Sequence, residues 1–93
     1  MRKRRWVDIS IDILESALTP KSKTRLIYRS NLNFARFNAY FNDFLQKGLL
    51  EETNADGNAT YVTSEQGRTL LIALKKAEEL FSEAPAQPLF VLR

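Results

Sequence analysis

Apolar side chains recur with the period of an α-helix in three successive segments of the first half of the chain. Spacings of three and four residues predict a first helix over about residues 5–18, which Thr19-Pro20 ends. A short second helix is predicted over residues 23–30. Asn33 is placed to cap a third helix over residues 34–47, whose aromatic side chains form one stripe while small and polar side chains cover the opposite face.

The pattern changes after Gly48, which is expected to end the third helix in a left-handed conformation. Residues 49–53 and 59–63 are two short strand-like segments. Asp56-Gly57 lies between them, and both residue types tolerate the positive φ angles that a tight hairpin turn requires. The sequence therefore predicts a two-stranded antiparallel hairpin.

Helical periodicity returns in the last third of the chain. Thr63 or Ser64 is expected to cap a helix that runs to about Glu83, because Pro85 prevents much further extension. An apolar tail follows over residues 85–93 and is expected to pack on its own domain or on a partner chain. Four apolar side chains of this helix repeat with heptad-like spacing: Leu70, Leu74, Ala77 and Phe81.

Three helices followed by a hairpin and a long helix predict the fold class. The order indicates an α+β, mainly α domain: a winged helix-turn-helix with three helices and a two-stranded wing, plus a long C-terminal helix. Because 93 residues suffice for one compact unit, a single domain is expected. Its parts are a basic arm (1–5), the winged helix-turn-helix (6–63), the last helix (64–84) and the apolar tail (85–93).

The absence of Cys and His narrows the chemistry. Thiol nucleophiles, Ser-His-Asp triads, zinc fingers and disulfide frameworks are excluded together. The acidic pairs Glu51-Glu52 and Glu78-Glu79 have diverging side chains and indicate surface charge. We therefore expect no enzyme, no metal and no cofactor. No signal peptide or membrane-spanning segment is expected, so the predicted location is the cytoplasm.

Charge is distributed unequally between the two halves of the chain. Residues 1–47 hold ten Lys and Arg against four Asp and Glu, a net charge of +6. Residues 48–93 hold four against seven, a net charge of −3. A basic half suggests a surface for a polyanion, and a chance asymmetry of solvated charge is the alternative.

Three segments give the sequence a family resemblance: Lys23 to Phe34 (KTRLIYRSNLNF), Gly48-Leu49-Leu50, and Tyr61 to Gly67 (YVTSEQG). Together they resemble the small archaeal winged-helix DNA-binding proteins, a group of chromatin-associated and regulator-like proteins. The resemblance covers about residues 6–83. It implies a homodimer, joined by antiparallel pairing of the last helices through the heptad-like positions, that binds double-stranded DNA.

In this fold the third helix enters the major groove and the second helix crosses the DNA backbone. Base contacts are predicted for the polar face of the third helix, which a solvated surface would also explain: Asn33, Ala35, Arg36, Asn38, Ala39 and Asn42. Phosphate contacts are predicted for the cations of the arm and the second helix: Arg4, Arg5, Lys21, Lys23, Arg25 and Arg29. The wing carries Glu51, Glu52 and Asp56 and no cation, so it is expected to contribute little to phosphate binding.

The aromatic side chains are interpreted as part of the core. Helical spacing favours core packing over base stacking for Phe34, Phe37, Phe41 and Phe44, and Tyr28, Tyr40 and Tyr61 are likewise predicted to be core residues.

The function predicted is that of a transcription regulator or chromatin-type protein. The alternative is a protein-docking module without DNA binding, which the acidic wing and the apolar segment Leu89–Leu92 would suit.

Overall fold

The computed structural model of the chain describes residues 5–82, which form four helices and one antiparallel hairpin. This architecture confirms the predicted winged helix, mainly helical with a two-stranded sheet. The elements, in chain order, are α1 (Trp6–Ser16), α2 (Lys23–Ser30), α3 (Phe34–Gln46), β1 (Leu50–Ala55), β2 (Asn58–Thr63) and α4 (Glu65–Ser82). The tail at 85–93 and most of the basic arm lie outside the described residues.

Local side-chain chemistry sets the boundaries of α2 and α3. The side chains of Ser22 and Asn33 accept hydrogen bonds from backbone N–H groups in the first turn of each helix. These caps satisfy donors that have no partner within the helix. Asn31 follows α2 with φ of 58°, and Gly48 follows α3 with φ of 74°, so each helix ends through a left-handed residue.

The hairpin turns at the predicted dipeptide. Asp56 and Gly57 have φ angles of 53° and 81°, which match the right-handed twist of the two strands. The side-chain oxygen of Asn54 accepts a hydrogen bond from the Gly57 N–H and holds the turn. The strands pair in a register that places Thr53 opposite Thr60. A single bridge to Lys21, through its backbone and that of Tyr61, ties the hairpin to the residues before α2.

The core lies between α1, α3 and the first part of α4. Phe37, Phe41 and Phe44 of α3 are buried as predicted, and the half-buried Tyr61 packs edge-on against Phe41 with ring centroids 4.8 Å apart. Aliphatic side chains of the other helices complete this core: Ile9, Ile11, Ile13, Leu14, Ala17, Leu26, Leu50, Leu71 and Leu74.

Two aromatic residues assigned to the core are exposed, so the prediction for them was wrong. Tyr28 is 83% exposed and Phe34 is 59% exposed. Tyr28 lies on the outer face of α2 with Thr24 and Arg25, because this two-turn helix buries only Leu26 and Ser30 fully. Phe34 is the first residue of α3 and lies beyond the end of the packed interior.

The junction between β2 and α4 fastens three parts of the fold together. The Thr63 hydroxyl donates to the Leu14 carbonyl at 2.7 Å, and the Thr63 N–H donates to the Ala17 carbonyl at 2.7 Å. The next residue, Ser64, donates through its hydroxyl to the Gly48 carbonyl and accepts from the Gly67 N–H. Ser64 is therefore the residue that caps α4, and the Thr63 hydroxyl is used for contact with α1 instead.

Replacing Thr63 by valine is expected to destabilise the domain by about 1–3 kcal/mol. Valine keeps the shape of threonine but leaves the buried Leu14 carbonyl without the hydroxyl donor. Urea unfolding followed by circular dichroism measures the change. Thr60→Val in the wing is the matched control and is expected to cost less than about 0.5 kcal/mol, because the hydrogen bond that it removes, to the Thr53 hydroxyl, is exposed to water. Equal stability of the two variants would show that the buried hydrogen bond is unimportant.

Helix α4 packs on α1 through Leu71 and Leu74, and an ion pair lies beside them. The Lys75 ammonium lies 2.6 Å from a carboxylate oxygen of Glu15. The hydrogen bond and the charge of Glu15 raise the pKa of Lys75 above its ordinary value of 10.5. A raised lysine pKa contributes stability that is fully present below pH 10.5 and is lost as the pH rises through the raised value.

Candidate nucleic-acid interface

The outward face of α3 is free of large apolar side chains over its middle and C-terminal turns. Ala35, Arg36, Ala39 and Asn42 are all exposed on this face, while Phe37, Phe41 and Phe44 point the other way into the core. Two alanines one turn apart leave the backbone of α3 open to close approach. A guanidinium and a carboxamide beside them are the groups that bond guanine and adenine edges in a major groove.

Asn33 and Asn38 are less available than their sequence positions suggested. The side-chain oxygen of Asn33 accepts the Arg36 N–H at 2.8 Å, so this oxygen is occupied by the helix cap. Asn38 is half-buried, and its side-chain oxygen is buried without a hydrogen-bond partner among the described residues. A two-pronged bond to adenine uses the oxygen and the nitrogen of the carboxamide together. The buried oxygen of Asn38 cannot take part in one, and the oxygen of Asn33 already accepts the bond of the helix cap.

Asp43 carries the negative charge on the same side of α3. Its carboxylate lies 2.9 Å from the Lys47 ammonium, one helical turn further along. Pairs with this spacing on an exposed helix surface are neighbours. Lys47 therefore offsets the charge of Asp43, which would otherwise repel a phosphate backbone.

The cations predicted to contact phosphate have different surroundings in α2. Arg25 is exposed on the outer face of this helix. Arg29 is exposed as well, and it lines a shallow depression together with Asp12, Glu15 and Ser16 of α1. Lys23 is half-buried, with its ammonium 4.9 Å from the ring centroid of Phe41 and 5.4 Å from that of Phe34. Arg25 and Arg29 are thus both exposed, whereas Lys23 lies against two aromatic rings.

Lys21 has a structural role in this fold. Its ammonium donates to the Ser16 carbonyl at 2.9 Å and to the Thr19 hydroxyl at 2.7 Å, at the end of α1. A cation near helix carbonyls that lack intrahelical partners is favoured by the helix dipole. Arg5 is exposed before α1, and Arg4 lies outside the described residues.

The wing is acidic and exposed. Glu51 and Glu52 of β1 and Asp56 of the turn are all on the surface, and every residue of β1 after Leu50 is exposed. No Lys or Arg occurs between Gly48 and Arg68. The wing therefore contributes negative charge next to the surface that α2 and α3 form.

The four heptad-like positions of α4 divide between the core and the surface. Leu74 is 7% exposed and packs into the core of its own domain, and Leu70 is half-buried. Ala77 and Phe81 are exposed. The sequence interpretation missed Leu80, which is 58% exposed and continues the three–four spacing of a surface row. We name this row the α4 stripe: Leu70, Ala73, Ala77 and Leu80, with Phe81 beside it.

Other kinds of site find little support in the described part of the chain. Within residues 5–82, no three carboxylate, His or Cys side chains come together as metal ligands would. Over the same residues, every helix is too short or too polar to cross a membrane.

The fold and the arrangement of its helices define a class of protein. The winged helix-turn-helix family matches residues 3–82, and the chain belongs to this family. None of the curated proteins has a matching sequence.

Two solved structures are similar to this chain. One is Sso10a-2, a DNA-binding protein from Sulfolobus solfataricus, with a TM-score of 0.71 and 24% identity over 85% of this chain and 87% of that one. The other is F-93 of SSV1, with a TM-score of 0.66 and 17% identity over 90% of this chain and 98% of that one. At these identities the likeness concerns the fold.

Proposed function

We propose that this protein binds double-stranded DNA with α3 in the major groove. The exposed face of α3 carries the proposal, because it combines small residues with Arg36 and Asn42 on the helix that reads bases in helix-turn-helix proteins. Sso10a-2, which has the same fold, is a DNA-binding protein. Ala35 and Ala39 would allow the helix to lie deep in the groove, where Arg36 would bond guanine and Asn42 adenine.

Phosphate contacts would come from α2 and the basic arm. Arg25 and Lys23 are placed at the start of α2, the helix that crosses the backbone in this fold. Arg4 and Arg5 would reach along the DNA from the arm, and Arg29 would add charge at the end of α2. Lys21 is not among these contacts, because its ammonium is bonded to groups at the end of α1. Each phosphate that the protein neutralises makes the slope of log binding constant against log salt concentration more negative by about 0.9.

The active form would be a homodimer joined by antiparallel pairing of α4. The α4 stripe is the exposed apolar surface that supports this arrangement, because its three–four spacing suits helix pairing. Two copies of α3 would then meet successive segments of the major groove. Such a dimer would act in the cytoplasm at the nucleoid, as a transcription regulator or a chromatin-type protein.

Fluorescence anisotropy of labelled duplexes at low and moderate salt tests DNA binding. Binding to a mixed-sequence duplex that weakens steeply with salt is the expected result. A preferred fragment among upstream-region duplexes would identify a regulator, and equal binding to all would identify a DNA-coating protein. Absence of binding even at low salt would contradict the proposal.

The exposed acidic wing favours one other function, that of a protein-docking module. Glu51, Glu52 and Asp56 would suit a basic partner surface better than a phosphate backbone. Absence of duplex binding, together with loss of partner binding when Glu51 and Glu52 are replaced by Gln, would support this function instead.

Replacing Arg36 by alanine is expected to weaken binding to a preferred duplex by roughly 5- to 150-fold and to relax the preference. The variant loses the two-pronged guanidinium bond and one charge. Arg36→Lys is the matched variant: it keeps the charge, so we expect a salt slope near that of the wild type with the sequence preference still lost. Anisotropy titrations against preferred and mixed duplexes measure both effects. Unchanged affinity and preference in Arg36→Ala would show that α3 does not occupy the groove.

A further inference from the structure

Phe34 differs from every other phenylalanine of α3. Phe37, Phe41 and Phe44 are buried, whereas Phe34 occupies the first position of the helix and leaves more than half of its surface in water. The N-terminal residues of a recognition helix are those that contact base edges. Ala35, also apolar and exposed, follows it directly. This end of α3 therefore presents an apolar surface where polar readers of bases are more usual.

The Phe34 ring is held by a neighbour from α2. The Lys23 ammonium lies 5.4 Å from the centroid of this ring and 4.9 Å from that of Phe41, so one cation attracts two aromatic rings. Phe41 is fixed in the core, 3% exposed, and Lys23 is half-buried. The contact restrains the exposed ring, and it lowers the entropic cost of using that ring in binding.

We propose that Phe34 recognises the C5-methyl group of thymine. This inference rests on the proposed placement of α3 in the major groove. Among the groups that bases present in that groove, the thymine methyl is the apolar one, and a phenylalanine ring is large enough to contact it from the first turn of the helix. Phe34 is thus a residue that determines specificity, and it makes the protein prefer sites that place thymine beneath the start of α3.

The test compares two duplexes that differ only in methyl groups. A mixed-sequence duplex is titrated by anisotropy beside the same duplex with deoxyuridine in place of every thymine. Wild-type protein is expected to bind the uracil duplex about three- to fivefold more weakly, the value of one buried methyl group. Phe34→Ala is expected to bind both duplexes nearly equally. If this variant weakens the contact of Lys23 with phosphate, the affinities for both duplexes fall together and their ratio is unaffected.

Two variants serve as controls. Tyr28→Ala removes another exposed aromatic ring, on the outer face of α2, and is expected to keep the thymine preference of the wild type. Phe34→Leu keeps an apolar side chain at the same place and is expected to retain part of the preference. Circular dichroism confirms that each variant is folded.

The possible results separate the two proposals. Strong duplex binding by wild-type protein without any thymine preference would overturn the role of Phe34 and leave DNA binding intact. A preference that survives in Phe34→Ala would also overturn it. Absence of binding to either duplex would contradict DNA binding itself, and this inference with it.

Discussion

Replacing Gly67 by alanine will destabilise the domain by about 2–4 kcal/mol, although alanine is the better helix former by about 1 kcal/mol. A Cβ atom at this position would lie 2.2 Å from the Leu49 carbonyl oxygen and 2.6 Å from the Thr63 Cγ2 atom. Both neighbours are held: the Leu49 carbonyl accepts the Ser64 N–H, and Thr63 bonds to α1. The first turn of α4 would have to move away from the segment that follows α3.

Urea unfolding of Gly67→Ala beside the wild type measures this effect. Gly57→Ala is the control, because a Cβ atom at the tip of the wing meets nothing within 4 Å. The positive φ of 81° at Gly57 still costs about 1–2 kcal/mol, so the control variant measures backbone strain without a clash. If Gly67→Ala proves as stable as the wild type, the close approach of α4 to Leu49 does not limit this position.

Replacing Leu80 by glutamate will convert the proposed dimer into a monomer and weaken DNA binding by about one to two orders of magnitude. Leu80 is exposed at the distal end of the α4 stripe, and a carboxylate there would be buried without a partner when two helices pair. A monomer presents a single copy of α3. It therefore loses the gain in affinity that two linked copies provide, which is of order 10²–10⁴ in favourable geometry.

Ile72→Glu is the matched control for this variant. Ile72 is an exposed aliphatic residue of the same helix, 69% exposed, but it points roughly 140° away from Ala77 around the helix axis. Sedimentation equilibrium at micromolar concentration and anisotropy titrations are made on both variants. We expect Ile72→Glu to remain dimeric and to bind DNA as the wild type does. A monomeric wild-type protein, or a dimer that tolerates Leu80→Glu, would contradict pairing through the stripe.

Features set by neighbouring residues were predictable from the sequence. Caps at Ser22 and Asn33, left-handed residues at Asn31 and Gly48, and the Asp56-Gly57 turn depend on chemistry within four residues. They fix where the elements begin and end, and the order of elements then indicates the winged helix. The exposed face of α3 was predictable for the same reason, since a 100° repeat separates its aromatic and polar sides.

Features set by distant residues were not predictable in this way. The apolar residues of α4 serve two surfaces, one facing α1 and one facing solvent, and periodicity alone assigned Leu74 to the wrong one. Phe34 continues the aromatic stripe of α3, yet the core ends one turn later. Lys21 has the same charge as the cations of α2 that follow it, but its ammonium reaches carbonyl and hydroxyl groups at the end of α1.

The junction at Thr63 and Ser64 has a consequence for how the domain opens. Two consecutive residues just before α4 bond to the end of α1 and to the segment after α3 through four hydrogen bonds. Separating α4 from the rest of the domain breaks these bonds together, so the root of α4 has no low-energy route to local opening. The exposed tip of the wing, beyond the bridge between Tyr61 and Lys21, is free to fray alone. The helix that would enter the major groove and the helix that would face a second subunit are therefore expected to open together.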